Sequence, residues 1–185
     1  MFNARARYAL MAGFGLSVAV CLFYKQYELA AAAGFFMGFV FWSHIKQGSV
    51  LQASKFFKNG DHDKAAALLA ETGNPDRLAP NRRGYYEFML GNIALKKERF
   101  EAAETHFQIA SRFPVGGKND KAFVLIHLAN LALRRKDRER TTAYVSRARE
   151  LAVTERAKDI IEQIERQVQK LPPAAKAGGP AGADN

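Results

Sequence analysis

Shifted by 38 residues, the chain lies over itself. Leu90-Gly91-Asn92-Ile93-Ala94-Leu95-Lys96-Lys97 falls on Leu128-Ala129-Asn130-Leu131-Ala132-Leu133-Arg134-Arg135. An earlier, weaker copy puts Ala53, Phe57 and Lys58 at the places of Gly91, Leu95 and Lys96. Further on, Ala65, Ala103 and Thr141 coincide, as do Leu69, Phe107 and Val145. Apolar residues recur at three and four within each copy, which is helical spacing. Polar turns divide each copy into two helices: Asn59-Gly60-Asp61, Lys97-Glu98-Arg99 and Lys136-Asp137-Arg138. Breakers separate the copies, Gly73-Asn74-Pro75 with Pro80 and then Pro114 with Gly116-Gly117. Small residues (Ala53, Gly91, Ala129; Ala65, Ala103) fall where paired helices would cross closely. The pattern predicts an all-α fold, a stack of helical hairpins over residues 47–72, 83–114 and 120–152, each burying its apolar face on the next.

The stack needs an end. Thr154 can cap a further helix whose apolar residues Ala157, Ile160, Ile161, Ile164, Val168 and Leu171 form one stripe. A helix that is apolar on one side only suits the last layer of a repeat array, so 153–171 is expected to be a capping helix. Pro172-Pro173 stop it, and 172–185, rich in Ala and Gly, is expected to be disordered.

The middle copy resembles a tetratricopeptide repeat (TPR). Leu90-Gly91, Ala94, Phe100, Ala103, Phe107, Ala110 and Pro114 stand at that family's spacing. The outer copies depart from it: Gln52 replaces Leu90, Arg138 replaces Phe100, and none has the usual early tryptophan. The period of 38 exceeds the usual 34. The resemblance implies an α-solenoid whose first helices line a peptide-binding groove. Carried over by position, the groove candidates are Lys58; Tyr85, Phe88, Asn92 and Lys96; and Phe123, Ile126, Asn130 and Arg134. An Asn amide can hold a peptide backbone, and a ladder of cations favours an acidic segment or a C-terminal carboxylate. The competing reading makes Phe88, Leu95, Ile126 and Leu133 core, and Lys58, Lys96 and Arg134 helix C-terminal cations. Val50, Phe88 and Ile126 stand where chaperone-binding members of the family carry lysine, which argues against a chaperone-tail clamp.

Upstream of the repeats the composition changes. Tyr8–Tyr24 and Leu29–Ile45 carry no charge over 17 residues each, roughly 26 Å of helix apiece. Only Lys25, Gln26, Tyr27 and Glu28 separate them. This predicts a transmembrane hairpin within residues 1–46, with spans at about 8–24 and 29–45. Arg5 and Arg7 before it and Lys46, Lys55 and Lys58 after it place both termini on the cytoplasmic side of a bacterial-type inner membrane. A cleaved signal peptide is the rival reading, but cleavage near Ala30–Ala33 would strand the apolar run GFFMGFVFW. Gly13 and Ser17 on one helix, and Gly34 and Gly38 on the other, are candidates for close helix packing. A contact between two copies, or the simple frequency of glycine in such helices, are the alternatives.

No sequence motif supplies chemistry. The four histidines, His44, His62, His106 and His127, lack metal-ligand spacing, and there is no P-loop, nucleophile elbow or dinucleotide fingerprint. Cys21 is the sole cysteine, so no intrachain disulfide and no cysteine-based metal cluster is expected, and with these motifs absent neither a metal, a cofactor nor enzymatic activity is expected. Lys and Arg outnumber Asp and Glu by 28 to 18, for a net charge of +10. The run Arg134–Arg140 is the densest basic feature. A solvated turn is its first reading, anionic lipid headgroups the second, and nucleic acid a distant third because no stacking aromatics interleave with it. The expectation is therefore a membrane-anchored, TPR-like scaffold or assembly factor that binds a protein or peptide partner. The alternative is a small accessory subunit of a larger membrane complex, held through its hairpin.

Overall fold

A computed structural model of the protein describes residues 4–47 and 49–172. The tail expected to be disordered lies outside the described residues except for Pro172. Nine α-helices make up the described chain: α1 (Ala4–Phe23), α2 (Tyr27–Gln47), α3 (Val50–Lys58), α4 (His62–Ala70), α5 (Pro80–Lys96), α6 (Phe100–Arg112), α7 (Lys118–Arg134), α8 (Arg138–Leu151) and α9 (Glu155–Gln169). A single 3-10 turn covers Pro75–Arg77, and no strand occurs among the described residues. The all-α arrangement is consistent with an α-solenoid. α3 pairs with α4, α5 with α6 and α7 with α8, while α9 packs on both α7 and α8.

One turn closes all three hairpins. Gly60, Glu98 and Lys136 have φ of 81°, 56° and 59°, and they are spaced by the 38-residue period. In each turn this residue's N–H donates to the carbonyl three back, and the next residue's N–H to the carbonyl five back (Asp61 to Phe56, Arg99 to Ala94, Asp137 to Ala132). Such paired bonds satisfy carbonyls that the helix end leaves open. The following helix starts at once. Asp61 and Asp137 accept from the backbone N–H groups of Lys64 and Arg140, whereas Arg99 gives α6 no side-chain cap.

The core follows the periodic residues. Ala53, Ala65, Leu69 and Met89 are fully buried towards the first hairpin, and Ala103, Phe107, Ala110 and Ala129 towards the other two. Ala157, Ile161, Ile164 and Val168 of α9 join that second cluster.

α1 and α2 form an antiparallel pair closed by the same kind of turn, with Lys25 at φ 57°. The membrane expectation fails. No helix among the described residues is long and apolar enough to cross a membrane, which overturns the multi-pass inner-membrane placement and the two predicted spans. Each uncharged run stops at 17 residues, several ångströms short of a hydrocarbon core about 30 Å thick. Small Gly, Ala and Ser residues dilute its apolarity further. The contact between the two helices also differs from the small-residue stripe. A Cβ added at Gly13, Gly34 or Gly38 would meet nothing within 4 Å, and the Ser17 hydroxyl donates to the Gly13 carbonyl of its own helix. Instead Phe14 stacks on Phe36 at 6.2 Å, Met37 reaches Gly15, and Ala30 is buried.

Candidate functional site

The first helices α3, α5 and α7 meet along a row of rings. Phe88, half-buried on α5, lies 6.3 Å from Phe57 on α3, 6.0 Å from Tyr85, 6.2 Å from Phe107 on α6 and 6.2 Å from His127 on α7. Phe57 meets His62 edge-on at 5.1 Å. His127 stacks nearly flat on Phe107, 4.7 Å apart at 9°. These contacts tie all three hairpins together, because aromatic pairs at such distances favour offset and edge-to-face geometry.

Around this row the nine groove candidates divide. Ile126 is only 2% exposed and belongs to the core. Tyr85, Phe88 and Phe123 are half-buried and pack on the core with part of each ring open. Burial, with Asp120 nearby, holds the Tyr85 phenol above its ordinary pKa. Asn92 is half-buried, and its Nδ2 donates to the Phe88 carbonyl at 2.8 Å, so one amide hydrogen is committed to its own helix. Asn130 is exposed. Lys58 and Lys96 are exposed, and neither has an ion-pair partner among the described residues. Arg134 sits with its guanidinium 3.7 Å above the Phe100 ring, a cation–π contact that holds it in place. Lys96 also lines a cleft of about 250 Å³ shared with the Gly60–Asp63 turn and Ile93.

The basic run is engaged within the fold. Arg135 pairs with Glu104 at 2.6 Å, Arg140 reaches Glu104 and Asp137, and Arg138 donates to the Leu171 carbonyl at the end of α9. These bonds join the third hairpin to the second and to α9.

Sequence reasoning missed a buried ionic group. Glu87, 3% exposed, accepts from Arg83 at 3.0 Å and lies 2.6 Å from His106 Nδ1. Arg83 also reaches Asp76 at 3.1 Å and lies over the Phe113 ring. A signal was available: Glu87 occupies the register position of Leu125, a core residue of the next copy. His127 is the other omission. Burial pushes its pKa down to about 4, so the ring is neutral near pH 7 and stacks as an apolar one. His44 falls among side chains outside the description. Among the described residues, no group of three or more His, Cys, Asp or Glu could hold a metal ion.

No protein-family model matches the chain, and no match is found among curated proteins or solved structures.

Proposed function

We propose that the protein is a helical-repeat binding scaffold, of the kind the TPR-like middle repeat suggests, which takes an extended protein segment along α3, α5 and α7. The observation that carries this reading is that Tyr85, Phe88 and Phe123 pack on the core with part of each ring open, while Lys58 and Lys96, one repeat apart on α3 and α5, are exposed and have no ion-pair partner among the described residues. Partly open aromatic surface supplies apolar contact to a bound chain. Cations one repeat apart favour a segment carrying acidic side chains and disfavour basic ones, giving selectivity more than affinity. Asn130 on α7 is exposed, and its amide makes no hydrogen bond among the described residues.

A photo-crosslinking side chain placed at Asn130 tests the reading, with a second placed at Ala102 on the exposed side of α6. The expected result is a discrete adduct from position 130 that Lys58→Glu with Lys96→Glu abolishes, and none from position 102. Equal adducts from both positions, or an adduct indifferent to the charge reversal, would discard the groove.

A further inference from the structure

We infer that two copies of this chain associate through α2, antiparallel, about a two-fold axis at Phe35. On α2, residues 28, 32, 35, 39 and 42 recur at steps of four and three, the spacing of a coiled-coil seam. Glu28, Ala32, Phe35, Phe39 and Trp42 occupy those positions, and all five are exposed. The side of α2 that meets α1 is a different one, carrying Ala30, Met37 and the Phe36 ring stacked on Phe14. The seam is therefore left without a partner among the described residues.

The seam's own rings are open to a second copy. Phe35, Phe39 and Trp42 are 72%, 63% and 63% exposed. At about 150–250 Å² for a whole ring their open part comes to about 300–500 Å², a large share of the roughly 800 Å² per partner of a standard interface.

The charges select the direction. In an antiparallel pair centred on Phe35, residue 28 of one copy faces residue 42 of the other. Lys46 Nζ lies 5.3 Å from the centre of the Trp42 ring, so Glu28 meets both the partner's Trp42 and the partner's Lys46. Neither Glu28 nor Lys46 has an ion-pair partner among the described residues of its own chain. The contact is isologous, made twice by the symmetry. A parallel pair would set Glu28 against the partner's Glu28 within the seam, which is unfavourable. The antiparallel pair also carries the two repeat stacks away from opposite ends of the shared helices, leaving both rings-and-cations surfaces free. Small Ala32 comes opposite bulky Phe39, while the two Phe35 rings meet at the axis.

Cysteine crosslinking of the full chain, in a Cys21→Ser background, tests the inference. Under mild oxidation Phe35→Cys should yield a covalent pair of twice the 20.6-kDa chain mass. Glu28→Cys should not crosslink to itself, because the two positions lie about 21 Å apart, but should crosslink to Trp42→Cys when the two variants are mixed. Sedimentation should give a dimer that Glu28→Lys weakens at least tenfold and Glu28→Lys with Lys46→Glu restores. Self-crosslinking of Glu28→Cys would overturn the antiparallel register. A monomer at every concentration, its seam covered by detergent or by a different protein, would overturn the inference altogether.

Discussion

Phe107 lies against Gly91 so closely that a Cβ on residue 91 would come within 2.8 Å of the ring. Both residues are buried, and the ring is sealed by Phe88 on one side and His127 on another, so it has nowhere to move. The same pair of register positions holds Ala53 with Leu69 and Ala129 with Val145. A larger side chain on the second helix goes with a smaller one on the first.

Gly91→Ala should therefore destabilise the fold by about 1–3 kcal/mol through overpacking, even though alanine is the better helix former. Combining it with Phe107→Leu recreates the Ala–Leu pair of the first hairpin and should recover part of the loss. Urea denaturation of the two single variants and the double gives the coupling. Strict additivity would show that the two positions do not share space.

The three turns share the same backbone hydrogen bonds but differ in how well their residue suits a left-handed backbone. Gly60 adopts it freely, but Glu98 and Lys136 carry a Cβ that crowds the following carbonyl. Glu98→Gly and Lys136→Gly should each raise stability by up to about 1 kcal/mol, or roughly 2–4 °C in Tm for a chain of this size. Gly60→Ala should lower it by a similar amount. A Tm that falls in both glycine variants would mean that their side chains contribute more than the strain removes.

These turns also show what could be read from sequence. The 38-residue period located all three, and Gly60-Asp61 announced the first by its chemistry. Lys136 gave no such sign and was placed by register alone, because a left-handed lysine has no compositional mark. The buried small residues followed from the same alignment. The alignment put Glu87 at a core register, but not its partners Arg83 and His106, since the group joins two helices across a fold whose crossing angle no periodicity reveals. In the hairpin, glycine spacing suggested the packing face, yet Phe14 and Phe36 set the contact and hold the small stripe away from it. Composition there pointed to hydrocarbon, but no helix among the described residues is long and apolar enough to cross it.

His127 should make stability depend on pH in a defined window. Its pKa is about 4 in the folded chain and about 6.5 when exposed, so the unfolded chain takes up a proton first as pH falls. The contribution of the neutral ring is complete above pH 6.5, declines between 6.5 and 4, and is gone below. Two and a half pH units correspond to about 3 kcal/mol at most. Chemical denaturation from pH 7 to 4 should show this slope in the wild type and lose it in His127→Phe, whose ring can still stack on Phe107. Parallel pH profiles for the two proteins would contradict a buried neutral imidazole.

Glu87 balances Arg83, whose side chain is only 13% exposed, while the other partner of that guanidinium, Asp76, is 83% exposed. Glu87→Ala leaves the arginine nearly buried with a solvated counter-ion and should destabilise by about 3–5 kcal/mol. Arg83→Leu combined with Glu87→Leu removes both charges together, and leucine is what the next repeat carries at the Glu87 position, as Leu125. That double variant should lose much less, since apolar replacement of a buried ion pair is often neutral or better. His106→Gln should fall between them, because it keeps a hydrogen-bonding group near the carboxylate. Urea midpoints order the three. If Glu87→Ala proved no worse than the double leucine variant, the ionic group would be a solvated surface cluster and the second hairpin would owe its pairing to Phe107 and Gly91 alone.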